Sequence, residues 1–186
     1  MTSTSVSPQD HYRDLAATFT ARVEAVPDGR WDAPSPCAGW SAREVVAHVI
    51  DTQREMAERI GVTLPEGPSV ENDPVTAWRT LRDGMQAALD DPDVAGHEFD
   101  GYFGRTDFAS TIDTFYCFDL VVHGWDLARA TGTDETIPDA DVVWVENVVQ
   151  GLGDNIRMEG ICGPAVEVPD SADRQTKLLA YLGRTV

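Results

Sequence analysis

The segment Phe115-Tyr-Cys-Phe-Asp-Leu-Val-Val-His-Gly-Trp-Asp-Leu-Ala-Arg-Ala-Thr-Gly132 asks for burial and for chemistry at once. Phe115, Phe118, Val122 and Trp125 recur at spacings of three and four, which puts them on one stripe of a helix. Leu120, Val121 and Leu127 add apolar surface elsewhere around it, so the helix is expected to be enclosed by others. Asp119 and His123 are set into that surface four residues apart, one turn above each other. An unpaired carboxylate there costs several kcal/mol or takes up a proton. A divalent metal held by the carboxylate and an imidazole nitrogen removes that cost. Thr131-Gly132 closes the helix, with Gly where a left-handed cap is wanted.

Pro8 to about Ala25 reads as a first helix on Tyr12, Leu15, Phe19 and Val23. Arg30 to Trp40 is a loop held extended by Pro34 and Pro36. Ser41, with Glu44 three residues on, predicts a capping box opening a second helix to about Ile60, and His48 borders its inner stripe of Val45, Val49, Thr52 and Met56. Pro74 starts a third helix to about Leu89. Val94 to Arg105 is read as a Gly-rich aromatic loop leading into a helix over Asp107–Thr131. A further helix is expected from Asp139 to Met158, Gly160 to Pro169 as an extended piece, and a short last helix capped by Ser171. The fold class is all-α: a four-helix bundle with additional short helices and short extended segments near the C-terminus, in one domain over residues 1–186.

Composition agrees. The chain is 42% hydrophobic and 25% charged, ordinary for a globular protein. Its net charge of −18 argues against nucleic acid and anionic membrane as partners. No apolar run reaches the roughly 20 residues of a membrane helix. Met1-Thr-Ser-Thr-Ser-Val-Ser-Pro lacks the basic and apolar regions of a signal peptide, so a cytoplasmic location is expected, as monomer or homodimer. Cys37, Cys117 and Cys162 are too scattered for a disulfide framework and read as reduced thiols.

His48 and the Asp119/His123 pair border apolar stripes of two helices that share a core. Together they supply two imidazoles and a carboxylate, which suits zinc with an open position, or iron or nickel with more. Asp126, one turn past His123, is placed to orient that ring through its second nitrogen. The alternative is a metal-free polar contact within a helical interaction protein. His11 near the terminus and His97 in a loop are read as solvated, His97 also as a candidate for a site mouth. Asp90, Asp91 and Asp93 lack an EF-hand pattern and form a solvated turn. Trp31, Trp40 and Trp125 are assigned to the core. No phosphate loop or nucleophile elbow is present.

Two blocks carry a resemblance. Ser35-Pro-Cys-Ala-Gly-Trp-Ser-Ala-Arg-Glu-Val-Val-Ala-His48-Val and Asp119-Leu-Val-Val-His123-Gly-Trp-Asp-Leu-Ala-Arg-Ala-Thr-Gly resemble the mycothiol-dependent maleylpyruvate isomerase metal-binding domains of the DinB/YfiT-like superfamily. Gly163-Pro-Ala-Val-Glu-Val-Pro is similar to the tail of actinobacterial members. The resemblance implies a DinB-type bundle with a divalent metal, usually zinc, on His48, Asp119 and His123. It also implies mycothiol as co-substrate and a small electrophile as substrate, in S-transfer or isomerisation. Those isomerases carry Glu where this chain has Asp119, and a further C-terminal domain. A non-catalytic metal-binding module is the other reading. Tyr102 and Arg105 are placed at the site entrance.

Overall fold

The computed structural model describes residues 6–158 and 160–186, so most of the polar N-terminal tail lies outside the described residues. The chain is predominantly helical. Its four long helices are α1 (Pro8–Glu24), α2 (Ala42–Arg59), α3 (Pro74–Asp90) and, after shorter elements, α6 (Cys117–Thr131). α1 and α2 each pack on both α3 and α6, so the four helices close a ring around one core. Trp78, Trp125, Tyr12 and Phe19 are fully buried there. Gly124 lets α1 approach α6: a Cβ at that position would lie 3.4 Å from Phe19 and 3.2 Å from the Arg22 guanidinium.

The helix starts follow local chemistry. Ser41 accepts from the Glu44 amide while Glu44 reaches back to the Ser41 amide, the full capping box. Asp73 caps α3 ahead of Pro74, and Gly132 ends α6 at φ 74°. The last helix, α8 (Arg174–Tyr181), is capped by Asp173 rather than Ser171. Asp173 accepts from both the Thr176 amide and its hydroxyl.

Three further expectations are corrected. Val94–Arg105 is not all loop: a one-turn α4 (Pro92–Ala95) precedes an antiparallel hairpin, β1 (Glu98–Gly101) with β2 (Gly104–Asp107). Gly101 faces Gly104 across a two-residue tip, Tyr102-Phe103. Residues 162–169, expected as an extended piece, are neither helix nor paired strand. The helix leading to Asp119 is not one regular α-helix. It begins as α5 (Phe108–Thr111), passes through a π-helical segment at Ile112–Tyr116, and only then becomes α6. The wider turn shifts the register, so Phe115 leaves the buried stripe kept by Phe118, Val122 and Trp125. Finally, α7 (Asp139–Leu152) stops at Gly153 and tightens into a 3-10 turn, Gly153–Arg157. Among the described residues no helix is long and apolar enough to cross a membrane.

Candidate metal centre

α2 and α6 lie side by side, and their facing surfaces bring His48, Asp119 and His123 together. One ligand atom from each lies within 4.8 Å of the others. His48 Nε2 stands 3.9 Å from Asp119 Oδ2, and the two imidazoles meet edge to face at 4.9 Å. At 3.9 Å this is not a hydrogen bond. Around a tetrahedral zinc with bonds near 2.05 Å, ligand atoms stand about 3.3 Å apart, so the three need move little to share one ion.

Asp119 accepts no hydrogen bond among the described residues, although only 28% of its side chain is exposed. Burial raises its pKa, against the positive charges of His123 and Arg184. A half-buried carboxylate without donors, facing two imidazoles, fits a cation site by its donor chemistry.

Behind His123 the network is complete. Asp126 is fully buried; burial would raise its pKa, but hydrogen bonds from His123 and Arg184 hold it down at about 2. Ionised, it can only accept, so His123 Nδ1–H donates to Asp126 Oδ2 at 3.0 Å, which leaves Nε2 for a ligand. The Cys37 thiol donates to the same oxygen at 3.2 Å, and Arg184 Nη2 donates to it at 2.8 Å. Burial disfavours a charged His123, but the bonds to Asp126 and Cys37 and the nearby carboxylates lift its pKa to about 10. His48 is held at about 4 by burial and by the charge on His123.

A second group, Cys37, His123 and Asp126, is equally compact. Arg184 already neutralises Asp126 there, and a cation would be set against the guanidinium. Cys37 approaches His123 at Nδ1, at 3.9 Å, the nitrogen already bonded to Asp126. The donor set of His48, Asp119 and His123, with no guanidinium against it, suits a cation better than that of Cys37, His123 and Asp126.

The Ser35–Trp40 loop covers the centre. Trp40 N–H bonds Cys37 C=O at 3.0 Å with Gly39 at φ 82°, the type II turn that demands glycine in the third place. The turn sets the Trp40 ring 4.7 Å from His48 and 6.0 Å from His123. Trp40, like Trp31, packs partly buried against the core as expected and also walls the candidate site, whereas Trp125 is fully buried. Arg184 was invisible in sequence, since nothing in Leu-Gly-Arg-Thr-Val marks a buried cation. His11 is not solvated: it pairs with Asp113 at 2.6 Å and stands edge-on to Trp144, near Cys117 but apart from the centre. His97 is exposed ahead of β1 and joins neither histidine of the centre.

A cavity of about 790 Å³ opens between the end of α2, the hairpin, the π-helical segment and α7. Tyr102 and Arg105 line it, but His48, Asp119 and His123 do not. Tyr116, three residues before Asp119, lines it as well.

Fold and centre define a helical protein with a two-histidine, one-aspartate cluster beside an aromatic cavity. Residues 12–71 match the family model of the mycothiol maleylpyruvate isomerase N-terminal domain, which bears out the family resemblance over that segment. The match includes His48 and the Trp40 turn and ends before Asp119. No curated protein and no solved structure matches the chain.

Proposed function

We propose that the chain is a DinB-type bundle that holds one divalent metal, zinc in the first instance, on His48, Asp119 and His123. In this reading it is an enzyme that turns a low-molecular-weight thiol such as mycothiol on a small electrophile. The observation that carries this is the Asp119 carboxylate, without hydrogen bonds and facing two imidazoles. A bound ion with an open position would favour the thiolate of the co-substrate, the form that attacks electrophilic carbon. The chain's own residues prepare that position. Asp126 holds the Nδ1 proton of His123 so that Nε2 points at the site. Arg184 keeps Asp126 ionised, and Trp40 screens His48 and His123 on one side. The part-exposed edges of His48 and Asp119 leave the other side open to a thiol.

The non-catalytic module is separated by the open position. Cobalt-substituted protein should gain near-ultraviolet sulfur absorption when mycothiol or a simpler thiol is added, and a Cys37→Ser, Cys117→Ser variant should respond equally. Absorption present before any thiol, and lost in that variant, would mean a site closed by protein sulfur and would overturn the enzyme reading.

A further inference from the structure

The 790 Å³ cavity lies within the size range of small-molecule sites. One wall is aromatic. Phe103, from the hairpin tip, stacks on Phe115 at 5.9 Å between ring centres, and Phe99 and Tyr116 extend the surface. The π-helical segment is what turns Phe115 and Tyr116 into this space. Phe103 is 50% exposed and Tyr102 74%, a large apolar surface to leave in water at a hairpin tip.

Two cations reach the cavity, and they differ. Arg105 is paired with Glu98 at 3.0 Å across the hairpin. Arg59, in the last turn of α2, makes no ion pair or hydrogen bond among the described residues; its guanidinium stands 5.9 Å over the Phe99 ring. In a chain of net charge −18, a cation left without an acidic partner beside an aromatic wall is a specific feature. α2 also serves as a ruler. At 1.5 Å per residue, Met56 lies about 12 Å and Arg59 about 16 Å along the axis from His48. Tyr116, one turn from Asp119, and Arg59, the lining residue of α2 farther from His48, both border the cavity.

We propose that this cavity is a binding site for an aromatic carboxylate, its ring against Phe103 and Phe115 and its carboxylate on Arg59. The ligand is held lengthwise, carboxylate distal and its other end toward His48 and Asp119. Only that last orientation rests on the metal reading; the binding itself does not.

The test uses the full chain with 13C-labelled methionine methyls and 4-phenylbutyrate as probe, with 4-phenylbutanol as the uncharged match. Met56 and Met158 line the cavity, and Met85 is buried in the core as an internal control. Saturable shifts of Met56 and Met158, with Met85 unmoved, are expected. The carboxylate should bind about fivefold more tightly than the alcohol, the scale of a part-exposed ion pair. Arg59→Gln should remove that preference while leaving alcohol binding intact. Equal affinity for both probes, a preference that survives Arg59→Gln, or no shift at Met56 and Met158 at millimolar probe would overturn the proposal. The same titration on His123→Ala separates the two readings. If the metal assignment fails, the methyl shifts persist; if the cavity assignment fails, metal content is untouched.

Discussion

Replacing Asp126 by Asn tests how the buried network serves the centre. The change keeps the shape and removes a charge that accepts from His123, Cys37 and Arg184. Two effects follow, of different size and readable apart. The first is on the ion: an amide at this place no longer enforces the Nδ1–H tautomer of His123, and such outer partners are worth about 10–100-fold in metal affinity. The second is on the fold. Arg184, 8% exposed, loses its counter-charge, and breaking a buried pair from one side costs about 3–5 kcal/mol.

The pH dependence gives an independent figure. Asp126 is depressed from 3.8 to about 2, which corresponds to roughly 2 kcal/mol, counting the interaction once. Because the folded-state pKa is the lower one, this stabilisation is complete above about pH 4 and fades as pH falls toward 2. Urea denaturation of metal-free wild type should show that loss, and Asp126→Asn should not. Metal affinity is read by competition with a chromophoric chelator at neutral pH. Unchanged affinity in a variant that has lost stability would refute the claim that Asp126 orients His123.

His123→Ala should lose the ion while far-ultraviolet circular dichroism stays that of a helical protein; full metal content would sink the ligand assignment. Metal-free His123 keeps its proton up to about pH 10, whereas His48, held at about 4, is already neutral. Binding must then displace about one proton, and affinity should climb about tenfold per pH unit between about 6 and 9; a flat profile would contradict it. Asp119→Asn should abolish metal binding yet raise the urea midpoint of the metal-free protein, because burial disfavours this carboxylate and no donor compensates it. A lowered midpoint would mean that Asp119 has a stabilising partner.

The sequence alone determined the helical class, the starts of α1, α2 and α3, and the glycine that ends α6. These are properties of a few consecutive residues: the Ser41–Glu44 box, Pro74 at a first turn and the 3.6 period of Phe118, Val122 and Trp125 act within one or two turns. It also selected His48, Asp119 and His123, since polar groups on otherwise apolar helix faces carry their own energetic question. What stands behind and beside them comes from packing between segments far apart in the chain. Arg184 reaches Asp126 across 58 positions, and Cys37 across 89, with no local pattern to announce either. Trp40 looks like any buried tryptophan until the Gly39 turn aims it at His48. The π-helical segment has no simple sequence signature, and Phe115 within it lines a cavity instead of the core. The strands Glu98–Gly101 and Gly104–Asp107 are four residues each and rich in Gly and Asp, too short for period two to emerge, so their pairing rests on the glycine-flanked tip and the helices around it.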